Sequence, residues 1–124
     1  MEDKDFEKLV NQALDSLPQE FLEKLENLNV TIADLPTPAQ IRGRRGLLLG
    51  LYEGIPQTRR GRYGIGEILP DKITIFKIPI LMISSSPKDV REKVRDTVIH
   101  EIAHHFGLSE EGIMKAKREE RKNL

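Results

Sequence analysis

Apolar positions change period several times along the chain, and each change predicts an element. Across residues 3–17, Phe6, Leu9, Val10, Ala13, Leu14 and Leu17 recur at intervals that place them on one helical face. Pro18 ends or restarts that helix, and residues 19–27 predict a second, shorter one with Phe21, Leu22 and Leu25 turned inward. Residues 30–33 form a brief β-rich run that predicts a strand. Pro36 and Pro38 oppose regular pairing, so residues 36–46 read as turn and loop. The apolar run LLLGLY at 47–52 predicts a strand, with Gly50 marking a bulge or a close backbone approach. Residues 57–68 read as a long loop. DKITIFKI at 71–78 alternates and is β-branched, which predicts a strand that Pro79 ends or bulges. Residues 80–83 then extend the strand or cross to the next element.

The most informative periodicity lies beyond. Val94, Val98, Ile102 and Phe106 fall on one side of a predicted helix, and Lys93, Asp96, Thr97, His100 and His104 fall on the other. Ser86 is a candidate N-cap, Pro87 suits the first helical position, and Asp89 sits where a capping-box partner reaches back. Gly107 supplies the left-handed residue that closes the helix and turns the chain.

On that polar face the chain reads His100-Glu101-x-x-His104. Imidazoles four residues apart on a helix project side by side and can grip one metal ion. Zinc held by two or three protein ligands keeps a position for water and brings that water's pKa to about 7. Glu101, adjacent to the first histidine, is the expected general base. The plain alternative is a pair of surface histidines on an amphipathic helix. His105 points about 100° away from His104, toward the apolar side, and is expected to pack or hydrogen-bond there.

Composition narrows the chemistry. The chain of 124 residues suits a single domain, 1–124, with a small core. Lys plus Arg and Asp plus Glu each number 20, so no overall charge draws it to nucleic acid or an anionic membrane. Cysteine is absent, leaving histidine and carboxylate as the expected zinc ligands. The opening MEDKDFEKLV lacks the basic start and apolar core of a signal peptide, and no apolar run approaches membrane-spanning length. The expectation is a cytoplasmic protein. Acidic residues crowd the first third of the chain, which reads as a solvated face or an acidic docking surface.

Three separated stretches carry a resemblance: TVIHEIAHHFGL at 97–108, LLGLYEGIP at 48–56 and LPDKITIFKIPI at 69–80. Together they resemble the small bacterial zincin-like metallopeptidases, minimal single domains first catalogued without a function. The resemblance implies an α+β domain with N-terminal helices, a small mixed β-sheet, a metal-binding helix and a C-terminal helix. It implies zinc as cofactor, His100 and His104 as ligands, and a third ligand six residues past His104, which is Glu110. The family more commonly has Asp there, and Glu111 follows, so Glu110, Glu111 or water completes the set. It also implies a peptide or protein substrate lying along an edge strand, for which residues 72–78 are the candidate.

The remaining signals have competing explanations. Glu110 equally suits the first turn of a closing helix, where a carboxylate favours the helix dipole. Ser109 is its candidate cap, with Ile113, Met114 and Ala116 as apolar anchors. Asp96 supports a ligand imidazole or is simply exposed. Arg42, Arg44, Arg45, Arg59, Arg60 and Arg62 make a local basic patch, read as a rim of the cleft that attracts an acidic peptide or its C-terminal carboxylate. Nucleic acid is the weaker partner, because no aromatic platform or recognition helix accompanies the arginines. Two other functions compete with the peptidase: a non-catalytic zinc- or protein-binding module of the same fold, and a metal-dependent endoribonuclease.

Overall fold

The computed structural model describes residues 1–23, 25, 28–54, 71–109, 111, 112, 115 and 118. Its first helix, α1 (Asp3–Asp15), buries Phe6, Val10 and Ala13, as the spacing predicts. The second, α2 (Gln19–Leu22), is shorter than expected, and Phe21 is its buried anchor, with its ring centroid 4.9 Å from that of Phe106.

Three strands form one mixed sheet: β1 (Leu28–Ala33), β2 (Gly50–Glu53) and β3 (Asp71–Phe76), in the order β1-β3-β2. β1 runs parallel to β3 with Leu28 opposite Asp71, whereas β2 runs antiparallel with Gly50 opposite Ile75. β3 is therefore the middle strand, which corrects the expectation that residues 72–78 form an edge. Its burial explains the misreading: five of its six residues are buried, so what resembles an alternating strand is covered on both faces. Among the described strands, the edges are β1 and β2.

Two further expectations, one of a loop and one of a strand, are also corrected. Residues 36–46 contain a short helix, α3 (Pro38–Ile41), started by Thr37 and Gln40, which cap each other reciprocally. The strand expected over 71–78 gives way at Lys77 to α4 (Lys77–Ile83), so residues 80–83 are helical. Pro79 does not prevent this. It stands in the first turn, where a backbone N–H has no intrahelical partner to lose.

The long helix α5 (Pro87–Phe106) crosses β2 and β3 and packs against α1. Val94, Val98 and Ile102 are fully buried, as their periodicity predicts. Its N-cap is the expected one, with Ser86 Oγ accepting a hydrogen bond from the Asp89 N–H at 3.1 Å, but the Asp89 carboxylate reaches one residue past a capping box and accepts from the Ser85 N–H at 2.9 Å. Its end matches the sequence expectation. Gly107 has φ 67° and ψ 29°, and the Leu108 N–H donates back to the Ala103 carbonyl at 2.8 Å, a Schellman closure. Ser109 then accepts from the Gly112 N–H at 3.1 Å, the expected cap, and residues 111, 112, 115 and 118 are helical. No described helix is long and apolar enough to cross a membrane.

Candidate metal centre

α5 presents His100 and His104 on its open side, about half exposed, with ring centroids 4.4 Å apart. Glu101 lies between them but is turned inward, with its side chain only 6% exposed. Its Oε1 is 3.4 Å from His104 Nδ1 and its Oε2 is 3.9 Å from His100 Nε2. One ligand atom from each of the three residues falls within 4.8 Å of the others. Two imidazole nitrogens beside a carboxylate, with no thiolate, make a donor set that fits zinc.

Burial pushes the Glu101 carboxyl above its ordinary value of 4.5. The charges of His104 and His100, a backbone N–H from Tyr52 and the charge of Arg44 oppose that rise. The Tyr52 contact follows from the strand register. The Phe76 N–H donates to the Leu49 carbonyl at 2.9 Å, and Leu49 stands opposite Phe76. Peptide groups of β2 therefore alternate, with those of Leu49 and Leu51 turned to β3 and those of Gly50 and Tyr52 turned to the edge. Glu101 occupies one of the edge donors.

Gly50 brings β2 this close to α5. A Cβ built there would meet Thr97 Cγ2 at 2.7 Å and Glu101 Cγ at 3.3 Å. The close approach anticipated for this glycine is thus present, and it faces the candidate base. Beside it, Leu48, Leu49, Gly50, Asp96, Thr97, His100 and Glu101 line an open recess of about 300 Å³.

The other sequence candidates separate clearly. His105 points away from the imidazole pair and is fully buried, with its Nδ1 2.7 Å from Asp71 Oδ2. Asp96 is 71% exposed and lies 3.7 Å from Arg95, a neighbour on the surface. Arg42, Arg44 and Arg45 are all exposed, and of the three only the charge of Arg44 is felt at Glu101. Glu110, the candidate third ligand, lies outside the described residues, as do Arg59, Arg60, Arg62 and Met114. Glu111 is described and exposed. Sequence reasoning missed Tyr52, whose backbone rather than side chain meets Glu101, a contact that only strand register reveals.

A solved structure, a conserved hypothetical protein from Thermus thermophilus, is similar to this chain with a TM-score of 0.57 and 25% identity, over 84% of this chain and 92% of the other. No functionally curated protein matches the sequence. The sequence profile of the zincin-like metallopeptidases matches residues 25–119, a span that includes all three strands and α5, and the chain belongs to that family.

Proposed function

We propose that this protein is a zinc-dependent peptidase in which His100 and His104 hold the metal and Glu101 is the general base. The observation that carries this reading is the clustering of the three side chains, two exposed nitrogen donors flanking a carboxylate that is buried against the β2 edge. Zinc, when bound, polarises a peptide carbonyl and makes water acidic enough to be deprotonated near neutral pH. Glu101 takes that proton and delivers it to the departing amine. Glu110 is proposed as the third ligand, since Gly107 reverses the chain just before it.

The substrate is proposed to be an extended peptide added to β2. Gly50 offers edge-facing backbone groups, and backbone pairing supplies affinity with little dependence on sequence. The recess lined by Leu48 and Leu49 takes a side chain next to the scissile bond.

The test uses zinc-loaded protein and a mixed pool of unstructured peptides, with cleavage followed by mass spectrometry. Glu101→Gln is expected to retain stoichiometric zinc and lose hydrolysis by about 10²-fold or more. His100→Ala and His104→Ala are expected to lose the metal. Zinc-loaded wild-type protein that cleaves no peptide would overturn the enzyme reading in favour of a binding module.

A further inference from the structure

The loop preceding β2 is more firmly built than its two prolines imply. The Gln40 N–H donates to Thr37 Oγ1 at 3.2 Å, and the Thr37 N–H donates to Gln40 Oε1 at 2.9 Å. Gln40 Nε2 donates in turn to Glu53 Oε1 at 3.0 Å, which ties α3 to the last residue of β2. Arg44 is fixed to the same helix. Its backbone N–H donates to the Ile41 carbonyl at 3.0 Å, and its Nε donates to the Gln40 carbonyl at 2.9 Å. Gly43 and Gly46 bracket it with φ of 75° and 78°, conformations that a residue with a side chain rarely adopts.

Two consequences bear on the cleft. Anchoring Nε leaves the terminal nitrogens of the guanidinium as the remaining donors, and no carboxylate pairs with Arg44 among the described residues. The cation is also joined through Gln40 to Glu53 at the end of β2, the strand along which the cleft runs.

We propose that Arg44 is a substrate-binding residue that receives a carboxylate of the peptide at one end of the cleft along β2. A guanidinium fork matches a carboxylate through two parallel hydrogen bonds, and one held in advance loses less freedom when the ligand arrives. Arg42 and Arg45 are exposed and no side-chain anchor holds either among the described residues, so they contribute a diffuse field rather than a fixed receptor. The carboxylate is either the peptide's C-terminus or an acidic side chain. The inference rests on the peptidase reading for the ligand being a peptide.

Binding is measured on zinc-loaded Glu101→Gln protein, so that the ligand is not consumed. Fluorescein-labelled peptides of one neutral sequence are compared with a free C-terminus, with an amidated C-terminus, and amidated with a single internal Glu. With Arg44 present, at least one carboxylate-bearing peptide is expected to bind about tenfold or more tightly than the neutral amide. Arg44→Ala is expected to remove that difference, and Arg44→Lys to restore only part of it. A gain for the free C-terminus alone assigns the terminal carboxylate, and a gain for the internal Glu assigns a side chain. Equal affinity for all three peptides, absence of binding, or a preference that survives Arg44→Ala overturns the proposal. The two readings fail separately. Arg44-dependent binding without hydrolysis by the wild-type protein sinks only the peptidase, and hydrolysis with equal affinity for charged and neutral peptides sinks only the role of Arg44.

Discussion

Nδ1 of His105 lies 2.7 Å from Oδ2 of Asp71, and both side chains are sealed from solvent. The pair joins the last turn of α5 to the first residue of β3, next in sequence to the candidate ligand His104. A Cβ at Gly54 would overlap the Asp71 carboxylate, so the chain leaving β2 closes over the same contact. Removing one member of a buried pair strands the other in a medium that solvates it poorly. Asp71→Ala is therefore expected to cost about 3–5 kcal/mol in urea denaturation, and replacing both residues with leucine to recover part of that loss. A change within about 0.5 kcal/mol, the range of inconsequential surface substitutions, would show that the pair does not stabilise the fold.

Glu101 is held where its charge is disfavoured, and stability should record this. Its folded-state pKa is raised above 4.5, so the metal-free fold is penalised once pH rises past the unfolded value and the carboxyl must ionise. Metal-free Glu101→Gln is accordingly expected to unfold at a higher temperature than wild type at pH 7, with the advantage vanishing below the unfolded pKa. Added zinc should raise the wild-type midpoint in proportion to the logarithm of free metal beyond saturation. A Gln variant less stable than wild type at neutral pH, with its zinc removed, would contradict the burial argument.

At the other end of α5 the sign is reversed. Asp89 has its pKa held below 3.8, first by the hydrogen bond from Lys93, which lies 2.9 Å away, and then by the Ser85 N–H. A lowered carboxylate contributes stability above its unfolded pKa and loses it as pH falls through the folded value. Asp89→Asn is expected to flatten that acid limb of the stability profile while leaving zinc binding unchanged. Ser86→Ala, which removes the N-cap acceptor, is expected to cost about 1 kcal/mol. Circular dichroism melts across pH 2.5–7 (roughly the range over which carboxylates titrate) check both.

What is legible in the sequence follows from where the determining forces act. α5 declares itself because its period, caps and terminating glycine are local features that agree with one another. The imidazole pair comes with it, since helical spacing alone fixes that geometry. β3 reads as a strand but not as the middle one, because strand order depends on long-range pairing that residues 71–76 do not encode by themselves. α4 is hidden for a different reason. Isoleucines around Pro79 favour β structure in isolation, and burial of Pro79 and Ile80 overrides that preference. α3 has a local signal that the two prolines obscure, since Thr37 followed three residues later by Gln40 is a capping box with proline at the first helical position.

Gly50 offers the sharpest separation of site geometry from metal binding. It lies in β2 without a positive φ, so its small size rather than its backbone freedom is what the fold uses. An added methyl would stand 2.7 Å from Thr97 Cγ2 and 3.3 Å from Glu101 Cγ, and one of these neighbours must move. Overpacking of this kind costs typically about 1–3 kcal/mol. Gly50→Ala is therefore expected to lower stability and to depress hydrolysis by displacing Glu101, while zinc affinity stays near that of wild type because the atoms nearest the new methyl belong to Thr97, Glu101 and Ile75, not to His100 or His104. Thr97→Ser in the same chain removes the clashing Cγ2 yet keeps the hydroxyl that donates to the Lys93 carbonyl at 2.7 Å. The double variant should regain most of the lost stability and activity. Rescue of stability without rescue of hydrolysis would mean that the spacing between β2 and Glu101, rather than the Thr97 clash, governs the reaction; failure of both would remove Thr97 as the obstacle.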